Sequence, residues 1–145
     1  MASQPLEASQ ILEELRRSQT REVVKDLCRK DFLVFQKVEL GLEIGPHHRT
    51  WNEHLKSGKD VVEMAPRDHG KSESLVRAYA LWKIKYDPWV KEVLILGADQ
   101  TSAVRNLDKI KQRIEQTPSL KHLVPTGRND PYSRTEIRLS IGFRS

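Results

Sequence analysis

The order of apolar patterns along the chain predicts an α/β fold: a parallel sheet flanked by helices, with a helical segment on its N-terminal side. Three observations carry that expectation. The run Val61-Val62-Glu63-Met64-Ala65 is short and strand-like, and it leads into Gly70-Lys71-Ser72. From Lys71 the residues Leu75, Tyr79, Trp82 and Tyr86 recur at helical spacing until Asp87-Pro88 stops the helix. Val93-Leu94-Ile95-Leu96 is then an uninterrupted apolar run, the pattern of a strand covered on both faces.

The remaining elements are placed around this unit. Leu6, Ile11, Leu12, Leu15, Val23, Val24, Leu27 and Cys28 fall near the helical period, so residues 5–30 are expected to be helical and residues 1–36 to form an N-terminal helical segment. Phe32, Leu33 and Phe35 add a short apolar cluster, and Gly41, Gly45 and Pro46 punctuate a loop. A helix holds Trp51, His54 and Leu55, and residues 57–60 form a turn. A second helix beyond the 93–97 strand carries Val104, Leu107, Ile110 or Lys111, and Ile114 on one stripe and ends at Thr117-Pro118. Ile137, Leu139, Ile141 and Phe143 alternate with polar residues, which predicts a third strand over 136–143. The strands at 61–65 and 93–97 are expected to run parallel, because a helix joins them.

Composition narrows the class. A chain of 145 residues with 37% hydrophobic and 31% charged residues fits a globular domain. No apolar run reaches the roughly 20 residues that span a bilayer, so no membrane partner and a cytoplasmic location are expected. The one cysteine, Cys28, has no partner for an internal disulfide and is read as a half-buried helix residue. The balance of 25 basic against 20 acidic residues permits a polyanion partner without requiring one. His47, His48 and His54 lack a metal-binding spacing, and Arg105, Lys109, Lys111 and Arg113 are interspersed with Asp108 and Glu115, as on a solvated helix face.

The chemistry concentrates at residues 65–72, Ala65-Pro66-Arg67-Asp68-His69-Gly70-Lys71-Ser72, an eight-residue match to a phosphate-binding loop with alanine in place of the first glycine. Gly70 permits a tight turn that aims successive N–H groups at phosphate oxygens. The helix beginning near Lys71 adds the positive end of its dipole. Lys71 supplies a mobile cation for the terminal phosphates of ATP, and the Ser72 hydroxyl can ligate Mg2+. Glu73 is grouped with these as a nucleotide-binding residue. The opposing expectation is an ordinary connection into a helix, with Lys71 solvated and Arg67 paired to Asp68 or Glu63.

With its flanks, the run MAPRDHGKSES at 64–74 resembles the phosphate loop of large terminase subunits, where alanine or serine often replaces the first glycine and an arginine precedes the second by three. Three further stretches are similar to that family: CRKDFLVFQ at 28–36, PHHRTWNEHL at 46–55 and VLILGADQTSAVRNLDKIKQRIE at 93–115. The resemblance implies that residues 37–145 are the N-terminal part of a P-loop ATPase domain. The function implied is the ATP-driven packaging of phage double-stranded DNA into capsids. A small terminase subunit, a portal protein and further copies of the same chain are the implied partners, in the host cytoplasm. It assigns Lys71 and Arg67 to catalysis, Arg67 as a trigger on the γ-phosphate, and His48 (or His47) to the adenine side.

A hydrolysing site also needs an acidic strand end for the metal and a carboxylate to activate water. Asp99 is the one candidate after the 93–97 run, and it reads better as a helix cap. In the resembled family the acidic strand follows the stretch matched here, so this chain alone is expected to hydrolyse ATP negligibly. The rival expectations are a non-catalytic prophage remnant and a helicase-like ATPase fragment.

Overall fold

The computed structural model describes residues 8–125 together with 132, 133 and 136. Among these residues the architecture is helical, and no strand or sheet is present. Helix α1 spans Ala8–Lys30, and α2, Phe32–Val34, runs on into a π-helical turn at Phe35–Glu39. Helix α3 is Pro46–Lys56. A π-helical stretch at Ser72–Ala78 continues into α4, Tyr79–Tyr86. Helix α5 is Gln100–Gln116, followed by a 3-10 turn at Pro118–Leu123.

Local chemistry explains the helix ends. The Asp31 carboxylate accepts the Leu33 N–H at 2.8 Å and restarts the chain as α2 after α1. Pro46 stands at the first turn of α3, where its missing N–H costs nothing. Asp99 caps α5 by accepting the Ser102 N–H at 2.7 Å, the role expected for it. The stops at Asp87-Pro88 and Thr117-Pro118 fall where the sequence places them.

The core lies where the end of α1, α2, α4 and α5 meet. Phe35, Leu81, Ile110, Ile114, Leu120 and Leu123 are its fully buried large side chains. Along the helix from Ser72 to Tyr86 the line facing α5 and the core is Ser74, Ala78 and Leu81, all buried. The expected aromatic line lies one position away and forms the rim: Phe32 packs on Tyr79 and Trp82 with ring centroids 5.3 and 5.4 Å apart. Small residues at 74 and 78 let the helix come close to α5. Cys28 is completely buried rather than half-buried, and its carbonyl accepts the Trp82 Nε1–H at 2.8 Å.

A polar hub ties three elements to this core. Glu39 accepts from Lys85 Nζ at 2.5 Å, from the Ser119 hydroxyl at 2.8 Å and from the Tyr86 hydroxyl. The Lys85 and Glu39 side chains are only 8% and 9% exposed, so the pair is held by its extra donors as much as by charge. Burial, and then the neighbouring Glu39, push the Tyr86 hydroxyl pKa well above the ordinary tyrosine range. Gln36 is the exception in this region: it is 1% exposed and neither side-chain polar atom finds a partner among the described residues.

The expected α/β sheet is therefore corrected. Residues 61–66 and 91–97 have no regular secondary structure. Val62 and Met64 are 89% and 91% exposed, and Leu94 and Leu96 are 76% and 81% exposed. A strand forms when its backbone groups find a ladder and its side chains find cover. Neither run has that here; Ile95 alone of its group packs against the core. Of the third expected strand, 136–143, only Glu136 falls within the described residues.

Candidate functional site: the loop between α3 and α4

The loop at 65–72 is built by two left-handed backbone positions. Asp68 has φ 64° and Gly70 φ 73°, the region that costs an ordinary residue about 1–3 kcal/mol and glycine little. The turn at 67–70 passes directly into the helix at Lys71. The first helical hydrogen bond joins the Ser74 N–H to the Gly70 carbonyl at 2.8 Å. The N–H groups of Lys71, Ser72 and Glu73 consequently sit at the open, electropositive helix end.

Helix α3 supports this turn from behind. His47 Nε2 is 3.1 Å from the His69 carbonyl, and His69 Nδ1 is 2.9 Å from the Arg67 carbonyl. His48 Nδ1 accepts the Gly45 N–H at 2.9 Å, half of a capping box at the start of α3. The same ring faces Gly70: a Cβ built there would lie 3.4 Å from His48 Nε2. Trp51, buried on the next turn of α3, packs edge-on against both histidines with centroids 4.9 and 5.1 Å away. Burial, then the neighbouring His47 ring, hold the His48 pKa below the ordinary histidine value of 6.5. The Gly45 backbone offsets part of this, although its N–H, as a donor, favours an unprotonated Nδ1.

The expected site residues divide into two groups. Arg67 and Ser72 are exposed and Lys71 is half-buried, and none of the three makes a side-chain hydrogen bond or ion pair among the described residues. The alternative pairing of Arg67 with Glu63 is not made, because Glu63 is taken by His54. Ala65 is half-buried and Pro66 and Asp68 are exposed, lining the approach to the turn. Glu73 goes elsewhere: it accepts from Arg77 at 2.8 Å and from Arg113 at 2.5 Å. Burial alone would raise its pKa, but the two guanidiniums outweigh that and lower it. Glu73 thereby clamps the loop's helix to α5, and Arg113 extends the clamp to the Leu40 carbonyl at 3.3 Å.

Other expectations are settled by placement. Asp99 spends its carboxylate on the α5 cap. Among the described residues no group of three His, Cys, Asp or Glu side chains is arranged to hold a metal. Lys111 turns to Asp108 and the Ser133 carbonyl, and with Arg113 engaged, Arg105 and Lys109 are the exposed members of the basic set on α5. Trp51 and Trp82 belong to the packed interior and its rim, whereas Trp89 is 88% exposed. A second concavity, about 640 Å³, lies between α1, α4 and the 3-10 turn. It is lined by both signs of charge, including Lys25, Asp26, Arg29 and Lys85, and by no residue of the loop. No helix among the described residues is long and apolar enough to cross a membrane.

Compared with protein-family models, curated proteins and solved structures, the chain finds no match in any of the three.

Proposed function

We propose that the 65–72 loop binds the phosphates of a nucleotide, ATP by the resemblance of its sequence, and that the chain is the nucleotide-binding part of a large terminase subunit. One observation carries the reading: a left-handed Gly70 opens onto a helix N-terminus, beside two cations, Lys71 and Arg67, that no carboxylate occupies among the described residues. Backbone donors, helix dipole and unpaired cations converging on one turn suit a polyanion of phosphate size. His48 against Gly70 gives the turn a back wall that a Cβ at position 70 would touch at 3.4 Å. Lys71 would hold the terminal phosphates, Arg67 would reach the γ-phosphate from the exposed rim, and Ser72 would share in holding Mg2+. Double-stranded DNA, the small subunit, the portal and further copies of the chain follow from the resemblance alone.

A second reading, a binding module without turnover, is favoured by Asp99, whose carboxylate is spent on the cap of α5. Titration with a fluorescent ATP analogue tests the shared claim. Lys71→Ala should weaken binding about tenfold or more, as expected for removal of a charge-assisted contact worth about 1.5–3 kcal/mol. Unchanged affinity in Lys71→Ala would remove the loop from the argument. A steady-state ATPase assay tests one of them directly: Lys71-dependent turnover identifies the motor, whereas binding without turnover is expected of this chain under either reading, with Asp99 spent on the α5 cap.

A further inference from the structure

Two histidines of α3 and one of the loop form a continuous contact. The His47 and His48 rings are 4.1 Å apart between centroids, and His47 and His69 are 5.7 Å apart. Each ring has a fixed protonation demand. His48 Nδ1 faces a donor, the Gly45 N–H, so it must be bare. His47 Nε2 and His69 Nδ1 each face a carbonyl, so each must carry its proton. The arrangement is complete with all three rings neutral. A second proton on His48 cannot sit on Nδ1 without breaking the bond to Gly45, and it puts a cation within contact of His47.

We propose that His47, His48 and His69 form a proton-operated latch that holds the 67–70 turn against the start of α3 when neutral and releases it when His48 is protonated. The inference deepens the nucleotide-binding reading by giving that loop a regulator, yet the latch is defined by protein contacts alone. The groups around it do not favour a charged ring. From the loop come His69 and the cations Arg67 and Lys71, with Asp68 as the one carboxylate. From α3 itself come His47 and the exposed Arg49 and Glu53, and from the cap of α2, packed on α3, comes Asp31, whose carboxylate accepts the Leu33 N–H. Among the described residues no carboxylate is hydrogen-bonded or ion-paired to any of the three rings.

The sign follows from linkage. The latched His48 has a pKa below that of a free ring, so the released state binds the extra proton more readily. The latch is at full strength above about 6.5, the free-ring value, and is lost as pH falls through the lower value of the latched ring. Within that window the released fraction grows up to about tenfold per pH unit, the limit for one linked proton.

Backbone 15N relaxation on the full 145-residue chain without nucleotide reads this directly. Order parameters at 67–72 should fall on acidification, while those of α4 and α5 should not, and the Gly45 amide, bonded to His48 Nδ1, should lose exchange protection over the same range. His48→Gln keeps an acceptor for the Gly45 N–H but cannot titrate, so the loop should stay ordered at both ends of the range. His48→Ala, with helix content checked by circular dichroism, should leave the loop mobile at every pH. A pH response in His48→Gln as large as in the parent chain, or none in the parent, would overturn the latch. Neither result bears on ATP affinity, so failure here is distinct from failure of the nucleotide reading.

Discussion

Two apolar stretches of similar composition end in opposite environments. Along α4 and its π-helical lead, Ala78, Ala80 and Leu81 are buried against α5 and the α2 region, while Leu94 and Leu96, a dozen or so residues later, stand in the open. The difference lies in partners. The α4 line satisfies its own backbone and needs only side-chain cover, which α5 supplies through a facing stripe of Ile110 and Ile114. A strand must obtain both backbone and side-chain partners from elsewhere in the chain. An apolar run thus predicts a wish for burial, and only a helical period predicts how the backbone satisfies itself.

The comparison is broken most forcefully at the hub that holds the helical half together. Glu39→Ala should cost about 3–5 kcal/mol in urea unfolding, since it strands Lys85 in a nearly closed site. A loss below about 1 kcal/mol would mean that the pair is solvated in solution. Next, Leu81→Ala should cost about 2–5 kcal/mol, because the side chain is fully enclosed and the neighbouring helices can collapse only in part.

Smaller effects sharpen the contrast. Asp99→Ala removes the α5 cap and should cost about 1 kcal/mol, with early exchange confined to the first turn of α5. Gly70→Ala, strained by its left-handed backbone, should cost about 1–3 kcal/mol of loop order rather than global stability. Thermal melts should therefore move less for Gly70→Ala than backbone order parameters at 67–72 do. Least of all, Leu94→Ser with Leu96→Ser should stay within about 0.5 kcal/mol of the parent, as exposed positions do. A loss comparable to that of Leu81→Ala would show that the 93–96 run is covered in solution.

The helices were legible in the sequence because their signals are local. The 71–86 and 100–116 spans, their stops at Asp87-Pro88 and Thr117-Pro118, and the cap at Asp99 all depend on residues within four positions of one another. The sheet was misread because residues 61–65 and 93–96 carry strand composition without showing what would pair with them. The loop itself was legible through Gly70, Lys71 and Ser72. Its supports were not: His47 meets the His69 carbonyl across 22 positions, and Arg113 reaches Glu73 across 40. No periodicity links residues so far apart. Glu73 was assigned to the nucleotide by adjacency in sequence, whereas its place in the first turn of the helix directs it to Arg77 and, on α5, to Arg113.

The buried thiol gives this molecule a built-in clock. Cys28 is the one cysteine of the chain and is wholly enclosed, and burial, with Glu39 adding to it, pushes its pKa up to about 11. An alkylating reagent needs both access and a thiolate, so the rate at which the native chain is labelled counts the moments when α1 lifts from α4. Trp82, whose indole is tethered to the carbonyl of that same cysteine, would register each event as a change in emission. One covalent label and one intrinsic fluorophore thus watch a single seam of the protein without any engineered probe.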